Sequence, residues 1–199
     1  DTDIHSETAA RIFNIDVDSV SKDMRRKAKE VNFGLIYGME SFGLSKSLDI
    51  SKKEATELID SYFNQFPKIK GYLDSIVNNA EKSTFTETLY GRKRFIRELA
   101  SSNFQLKAMG KRIAMNAPIQ GTASDIMKIA MIKIQDKIAK LNSTNILLQI
   151  HDEIIIQTPD NIATKTAKLV QKEMENATSL DVPLFVDIKQ NKNLSNFNN

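Results

Sequence analysis

Four side chains at successive intervals of four residues constrain this chain more than any other feature. Arg25, Lys29, Phe33 and Tyr37 return to nearly the same face of an α-helix, because one turn takes about 3.6 residues. The spacing therefore predicts a helix that carries two cations and then two aromatic rings in one stripe about 18 Å long. We call these four residues the cation–aromatic stripe.

The two ends of the stripe suit different parts of a nucleotide. The guanidinium of Arg25 and the ammonium of Lys29 suit phosphate oxygens, whereas the flat rings of Phe33 and Tyr37 suit a base or sugar. Glycines at positions 34 and 38 favour a close approach to the backbone and the end of the helix. The alternative is a surface helix with basic residues outside and aromatic residues in the core.

Composition limits the class of protein. With 199 residues, the chain is long enough for one sizeable core or two small lobes. No run of about 18 uncharged apolar residues and no apolar leader is present, so we expect no membrane association and a cytoplasmic location. Because there is no cysteine, disulfides and thiolate metal sites are excluded.

Charge is unevenly distributed along the chain. The net charge is +3, yet the segment 151–188 holds seven acidic residues and three lysines. The rest of the chain is therefore basic, which suits a polyanion, while the acidic segment suits cations.

The remaining patterns predict an order of helices and short strands. Apolar spacing predicts helices over 3–14, 51–66, 68–82, 103–141 and 161–177. A further helix is predicted from a cap at Asp18, Ser19 or Ser21 through the stripe. Ser51 and Glu54 have the spacing of a capping box at the start of the helix over 51–66. Pro118 is expected to kink or restart the helix over 103–141. A hairpin with a basic tip is expected near 85–94 and a final strand over 184–188. That tip suits a nucleic-acid backbone or is a soluble turn.

A second informative stretch is Ile146–Gln157. Two apolar runs flank His151, Asp152 and Glu153, which predicts a tight hairpin with these three residues at its tip and with at least one buried face. Neighbouring acids resist burial unless a cation compensates, and Mg²⁺ is the hard ion that prefers carboxylate and phosphate oxygens. Since successive strand residues point to opposite faces, Asp152 and Glu153 need not share one ion. Asp152 is the stronger candidate. The alternative is a plain polar tip.

A third set lies around Pro118. Arg112, Asn116 and Gln120 recur at intervals of four, and amide side chains can both donate to and accept from base edges or sugars. The alternative is a polar lining of a helix groove. His5, near the start of the first helix, is a candidate for an anion contact.

Three motifs in this order resemble the C-terminal part of a family A DNA polymerase, the bacterial DNA polymerase I type. They are Arg25-x-x-x-Lys29-x-x-x-Phe33-Gly34-x-x-Tyr37-Gly38, Arg112-x-x-x-Asn116-Ala-Pro-Ile-Gln120-Gly-Thr-Ala, and Gln149-Ile-His151-Asp152-Glu153, with Asp3-Ile4-His5 ahead of them. The resemblance covers essentially the whole chain. It implies an α+β fold, with mostly helical fingers over 1–110 followed over 111–199 by a palm portion with a small antiparallel sheet.

The resemblance also implies roles for the candidate residues. His5, Arg25 and Lys29 would grip the triphosphate of a deoxynucleotide, and Lys29 would donate a proton to the leaving pyrophosphate. Phe33 would pack on sugar and base and disfavour nucleotides that lack a 3′ hydroxyl, and Tyr37 would lie beside the nascent pair. Primer-template DNA would meet the other four candidates, Arg112, Asn116, Gln120 and His151.

The implied reaction is nucleotidyl transfer to a primer 3′ end with two Mg²⁺ ions, held by Asp152 and, less critically, Glu153. The family has a second metal-binding aspartate upstream of the fingers, and this chain begins with Asp1 after the place where it should stand. We therefore expect a fragment that is inactive alone and has the N-terminal part of the polymerase as a partner. The alternative functions are a non-catalytic nucleotide or nucleic-acid binding module, a complementing subunit, and a generic helical interaction domain.

Overall fold

A computed structural model describes residues 3–193 and shows seven α-helices and two small antiparallel sheets in that range. The helices are α1 Ile4–Phe13, α2 Lys22–Ile36, α3 Ser41–Leu48, α4 Lys52–Gln65, α5 Pro67–Ser83, α6 Phe104–Ile138 and α7 Ala163–Glu175. The strands are β1 Phe85–Glu87, β2 Lys93–Phe95, β3 Asn145–Ile150 and β4 Glu153–Gln157. The predicted mostly helical α+β class is confirmed.

Side-chain caps explain where several helices begin. Asp3 accepts from the backbone N–H of His5 and starts α1, and Ser21 accepts from the N–H of Met24 and starts α2. Ser51 and Glu54 form the predicted reciprocal capping box of α4. Each cap satisfies amides that have no partner within the first turn of a helix.

The chain divides into two compact units, with the boundary between Ile119 and Gln120 inside α6. The predicted division into fingers over 1–110 and palm over 111–199 stays a prediction. The first unit contains two apolar clusters. One is built from Val31, Leu35, Leu44, Ala55 and Tyr62, and the other from Ala80, Ile96, Leu99 and Ala114.

In the second unit, the buried face of α6 is formed by residues four apart. Ala130, Ile134 and Ile138 are each at most 1% exposed. Lys133 donates to the backbone carbonyls of Asn176 and Ala177 at 2.9 and 3.2 Å, which fixes the segment that follows α7. The Ile134 face of α6 is therefore the apolar centre of this unit.

Pro118 does not restart the long helix, because residues 104–138 form one continuous α6. A proline inside a helix removes one backbone hydrogen bond, and the other residues of so long a helix keep the two halves in one element. Of the predicted kink or restart, the restart is therefore wrong and the kink stays a prediction.

The predicted final strand over 184–188 is also wrong, since these residues have no strand pairing. The backbone N–H of Val186 donates to the Glu175 carboxylate at 3.2 Å, and its carbonyl accepts from Gln171 at 2.9 Å. Side chains of α7 thus supply the partners that a neighbouring strand would supply. The Asn-rich end predicted to be poorly ordered falls, from residue 194 onward, outside the described residues.

Both predicted hairpins are present, with corrections to their details. The basic residues Lys93 and Arg94 lie in β2 and not at the tip of the first hairpin. In β3, Leu147, Leu148 and Ile150 are 45%, 48% and 46% exposed, so the expected buried face is wrong for this strand within residues 3–193. The reason is that β3 pairs only with β4 in a two-stranded sheet, and Leu147 is an extra residue at a β-bulge.

No helix in the described range is long and apolar enough to cross a membrane.

Candidate functional site

The cation–aromatic stripe forms on α2 as the spacing predicts. The Lys29 ammonium lies 5.9 Å from the centroid of the Phe33 ring, and the Phe33 and Tyr37 rings are stacked with centroids 6.1 Å apart. These contacts join three of the four stripe residues in a row. Tyr37 follows the last residue of α2, and its N–H still donates to the Phe33 carbonyl at 3.0 Å.

Helix α1 packs against α2 and brings His5 to the stripe. The His5 ring lies 5.9 Å from the Phe33 ring, and Phe33 itself is 42% exposed. A charged ligand could therefore reach an exposed aromatic face with an imidazole and an ammonium beside it. The structure thus brings together His5, Lys29, Phe33 and Tyr37, which were predicted from separate parts of the sequence.

Arg25, at the start of the stripe, is engaged by a carboxylate that the sequence did not reveal as its partner. Its Nε donates to Asp3 Oδ2 at 2.6 Å and its Nη2 to Asp3 Oδ1 at 3.3 Å. Hydrogen bonds from Arg25 and then Ser6 hold the pKa of the Asp3 carboxyl well below its usual range. Asp3 thus caps α1 and anchors the guanidinium of α2 with the same side chain.

Two buried polar side chains form hydrogen bonds that support the His5 ring. Asn32 Nδ2 lies 2.9 Å from His5 Nδ1, and Asn32 Oδ1 accepts from the Thr8 hydroxyl at 3.0 Å. Burial, followed by the charge of Arg25, lowers the pKa of His5. Sequence reasoning missed both supporting residues; the signal for Asn32 was a lone amide between the apolar Val31 and Leu35.

The glycines of the first motif are explained by neighbouring side chains. An added Cβ at Gly34 would come within 2.6 Å of the Met39 methyl carbon. Gly38 has a φ of +79°, and a Cβ there would lie 2.9 Å from Met115 Sδ and 3.1 Å from Arg112 Cγ. The close approach expected at Gly34 is therefore made by a side chain of the same protein, and Gly38 ends α2 against α6.

The three residues of the second motif all lie on α6. Arg112 and Gln120 are exposed, whereas Asn116 is partly buried. The side-chain oxygen of Asn116 is inaccessible to solvent and has no hydrogen-bond partner within residues 3–193. A buried acceptor without a donor is costly, so the environment of Asn116 differs from that of the two exposed members of this set.

The third motif lies at the end of the β3–β4 hairpin. His151 and Asp152 form the two-residue loop, and Glu153 is the first residue of β4, opposite Ile150. His151 has a φ of +52°, a value that only a minority of non-glycine residues adopt. The prediction that all three lie at the tip is thus correct for His151 and Asp152 and off by one position for Glu153.

Both carboxylates of this hairpin are exposed, and neither forms an ion pair with another described residue. Within residues 3–193 no group of three or more His, Asp or Glu side chains could jointly hold a metal ion. A carboxylate at an exposed loop nevertheless suits Mg²⁺, which commonly takes only one or two protein carboxylates and completes its shell with water and substrate phosphates. The residues present therefore fit part of such a site.

Comparison with known proteins places the chain in a family. The family model described as DNA polymerase family A matches residues 1–196. DNA polymerase I of Caldicellulosiruptor bescii is 47% identical over 192 residues, which is 96% of this chain and 23% of that protein. DNA polymerase I of Bacillus subtilis is 45% identical over 188 residues, 94% of this chain and 21% of that protein.

A solved structure gives the same result. The POL domain of Pol1 from M. smegmatis, in complex with DNA primer-template and dNTP, superposes with a TM-score of 0.85 at 41% identity, over 92% of this chain and 32% of that one. The chain belongs to DNA polymerase family A. It spans about a fifth of the length of the curated relatives named above.

Proposed function

We propose that this chain supplies the nucleotide-binding fingers and part of the palm of a DNA-directed DNA polymerase. The single observation that carries the proposal is the geometry of the stripe: Lys29, Phe33 and Tyr37 are in contact along α2, with His5 of α1 against Phe33. Membership of family A and the likeness to a polymerase domain bound to primer-template and dNTP support it. The substrates would be deoxynucleoside triphosphates and primer-template DNA.

The resemblance to family A polymerases gives each stripe residue a role that its chemistry fits. Arg25, Lys29 and His5 would bind the phosphates of the nucleotide, and Lys29, as an ammonium, could donate the proton that the leaving pyrophosphate requires. Phe33 would stack on the sugar and base, and Tyr37 would contact the new base pair. Because the Arg25 guanidinium is paired with Asp3, a triphosphate would have to bind it beside Asp3 or displace Asp3 from it. Asp3 would hold the guanidinium in position before the nucleotide binds.

The DNA contacts would come from the other two motifs. Arg112 would contact phosphate oxygens, and the amides of Asn116 and Gln120 would contact sugars or base edges without strong sequence preference. His151 would lie near the primer end. The exposure of Arg112 and Gln120 on α6 supports this assignment, because both side chains are accessible to a polyanion.

Asp152, with Glu153 beside it in a less critical role, would hold divalent metal, and we propose Mg²⁺. When bound, two such ions supply positive charge that stabilises the attacking and leaving oxygens of an in-line displacement at phosphorus. The protein's own residues contribute the exposed loop carboxylate of Asp152 as a metal ligand and the stripe on α2 as the surface that orients the nucleotide.

We propose further that the chain alone does not extend primers, and that its partner is the N-terminal part of a longer polymerase. Asp152 and Glu153 are not joined by a third His, Asp or Glu side chain that could share a metal ion within residues 3–193, which supports the need for a further carboxylate from elsewhere. The exposed side chains of Leu147, Leu148 and Ile150 support a partner on β3, since a strand so apolar is usually covered.

Nucleotide binding by the chain itself is the first test. Titration with a deoxynucleoside triphosphate, followed by isothermal calorimetry, should give saturable binding that weakens at least about tenfold in Lys29→Ala, because a phosphate-binding cation contributes at least about 1.4 kcal/mol. The matched control is Lys53→Ala, an exposed lysine of α4 whose only described ion pair is with Glu57 at 3.9 Å. Equal binding by both variants would contradict the stripe assignment.

Primer extension with magnesium is the second test. The chain alone should be inactive, and addition of the N-terminal polymerase part should restore synthesis that Asp152→Ala abolishes. Robust synthesis by the chain alone would contradict the fragment proposal.

A non-catalytic nucleotide or nucleic-acid binding module, or a complementing subunit, is the second candidate. The observation that favours it is that no three metal-ligating side chains are grouped within residues 3–193. It predicts the same nucleotide binding but no synthesis when the N-terminal part is added. A generic helical interaction domain would instead show no change on Lys29→Ala or Asp152→Ala in any binding measurement.

A further inference from the structure

Two buried polar side chains lie beneath the histidine of the proposed nucleotide site. Asn32 and Thr8 are only 3% and 7% exposed. The Asn32 amide nitrogen lies 2.9 Å from His5 Nδ1, and the Thr8 hydroxyl lies 3.0 Å from Asn32 Oδ1 and 2.8 Å from the Ile4 carbonyl. A hydrogen-bonded network of three polar groups therefore connects the imidazole to the backbone of its own helix.

This network can satisfy the hydrogen bonding of a neutral His5 ring. In the observed arrangement the Asn32 amide donates to Nδ1, so the neutral ring carries its proton on Nε2. The Thr8 hydroxyl then donates to Asn32 Oδ1. Nε2, which has no hydrogen-bond partner within residues 3–193, is left as the ring nitrogen that an anion can contact.

The same network can also satisfy the hydrogen bonding of a protonated His5 ring. An imidazolium carries protons on both nitrogens, so Nδ1 then needs an acceptor. A half-turn of the Asn32 amide presents Oδ1 to Nδ1 and its NH₂ group to Thr8. The hydroxyl of Thr8 accepts this bond and gives its own proton to the Ile4 carbonyl, which is already within 2.8 Å. In both states a donor faces an acceptor between His5 and Asn32 and between Asn32 and Thr8, which favours a low-cost change.

The charged groups around the ring make both states relevant. Asp3, before α1, favours the protonated ring, whereas Arg25 and Lys29 of α2 disfavour it. A triphosphate bound to the two cations would cancel their effect and favour protonation of His5.

We propose that Asn32 and Thr8 are positioning residues that hold His5 with Nε2 towards the phosphates of a nucleoside triphosphate, and that the Asn32 amide reverses when His5 is protonated. The nature of the ligand rests on the proposed function above. The support of His5 itself does not, since it is present in the chain without any nucleotide.

Nitrogen-15 spectra of the histidine rings test the support directly. The chain has two histidines, so His151→Gln assigns the signals. In the free chain, neutral His5 should carry its proton on Nε2. Asn32→Asp places a permanent, charged acceptor at Nδ1, which should move the neutral proton to Nδ1 and raise the pKa of His5 by about one unit or more. The matched control is Asn78→Asp on the exposed face of α5, which should leave both properties unchanged.

Thr8→Val is the second variant, because valine has nearly the shape of threonine and leaves the fold of α1 intact. Without the hydroxyl, neither amide orientation is fixed, so His5 should show a mixture of both tautomers. Affinity for a deoxynucleoside triphosphate should fall about threefold to tenfold, and Thr8→Ser should restore both properties.

Wild-type tautomer and pKa in both Asn32→Asp and Thr8→Val, with each variant folded by circular dichroism, would overturn the proposal. If the two variants show the shifts described above but the wild-type chain binds no nucleotide, the support of His5 is upheld and the proposed function is refuted.

Discussion

Replacement of Gly38 by alanine tests the junction between the stripe helix and α6. Gly38 has a φ of +79°, and an added Cβ would lie 2.9 Å from Met115 Sδ and 3.1 Å from Arg112 Cγ. The left-handed backbone alone costs an alanine about 1–2 kcal/mol. Since the two close contacts add overpacking of about 1–2 kcal/mol, we expect Gly38→Ala to lower the free energy of unfolding by about 3 kcal/mol.

Two other glycines separate the contributions. Gly91 has a φ of +75° but no atom within 4 Å of an added Cβ, so Gly91→Ala should cost only the backbone term of about 1–2 kcal/mol. Gly71 lies within α5, also with nothing within 4 Å. Gly71→Ala should therefore stabilise the chain by about 0.5–1 kcal/mol, because alanine favours the helix.

Equilibrium urea unfolding measures all three variants. The midpoint should fall most for Gly38→Ala, less for Gly91→Ala, and rise for Gly71→Ala, with the slope m unchanged. A loss in Gly38→Ala no greater than that in Gly91→Ala would show that Met115 and Arg112 do not press on this position, and would refute the reasoning.

Three further variants have defined outcomes. Ser51→Ala should lower the stability of the chain by about 1 kcal/mol through loss of the α4 capping box, measured by thermal unfolding; an unchanged midpoint would contradict it. Ile134→Ala should cost about 3 kcal/mol, because a fully buried side chain leaves a cavity, and urea unfolding with a loss below about 1 kcal/mol would refute this. Arg25→Met should raise the pKa of Asp3 towards its ordinary value in a carboxyl NMR titration. A carboxyl group with a lowered pKa in the folded protein stabilises the fold at pH values above its pKa in the unfolded chain, which is about 4. This stabilisation is lost as the pH falls through the pKa of the folded state, so the variant, which lacks it, should lose less stability in acid. A pKa of Asp3 that does not move would contradict the ion pair.

The sequence predicted most elements because their signals are local. The four-residue period of the stripe, the Ser51–Glu54 pair and the apolar runs around His151 each depend on residues close together in the sequence. At the predicted final strand, partners distant in the sequence decided the outcome. Val186 found the side chains of Gln171 and Glu175 in place of a strand.

The exposure of β3 shows the same limit. Its apolar residues predicted burial, yet burial requires a second layer, and no other described strand pairs with the β3–β4 hairpin. Apolar character is a property of the strand, whereas the covering layer is a property of the assembled protein.

For the candidate site, spacing along the chain was enough to predict which side chains could serve a nucleotide: Arg25, Lys29, Phe33 and Tyr37 on one helix face, and Asp152 at a hairpin. How they are held became visible in the fold, through Asp3 on Arg25 and through Asn32 under His5. These contacts join residues more than twenty positions apart, and they form because α1 packs against α2. Helical period follows from local backbone geometry, but the partner of a given side chain depends on which two helices share a core.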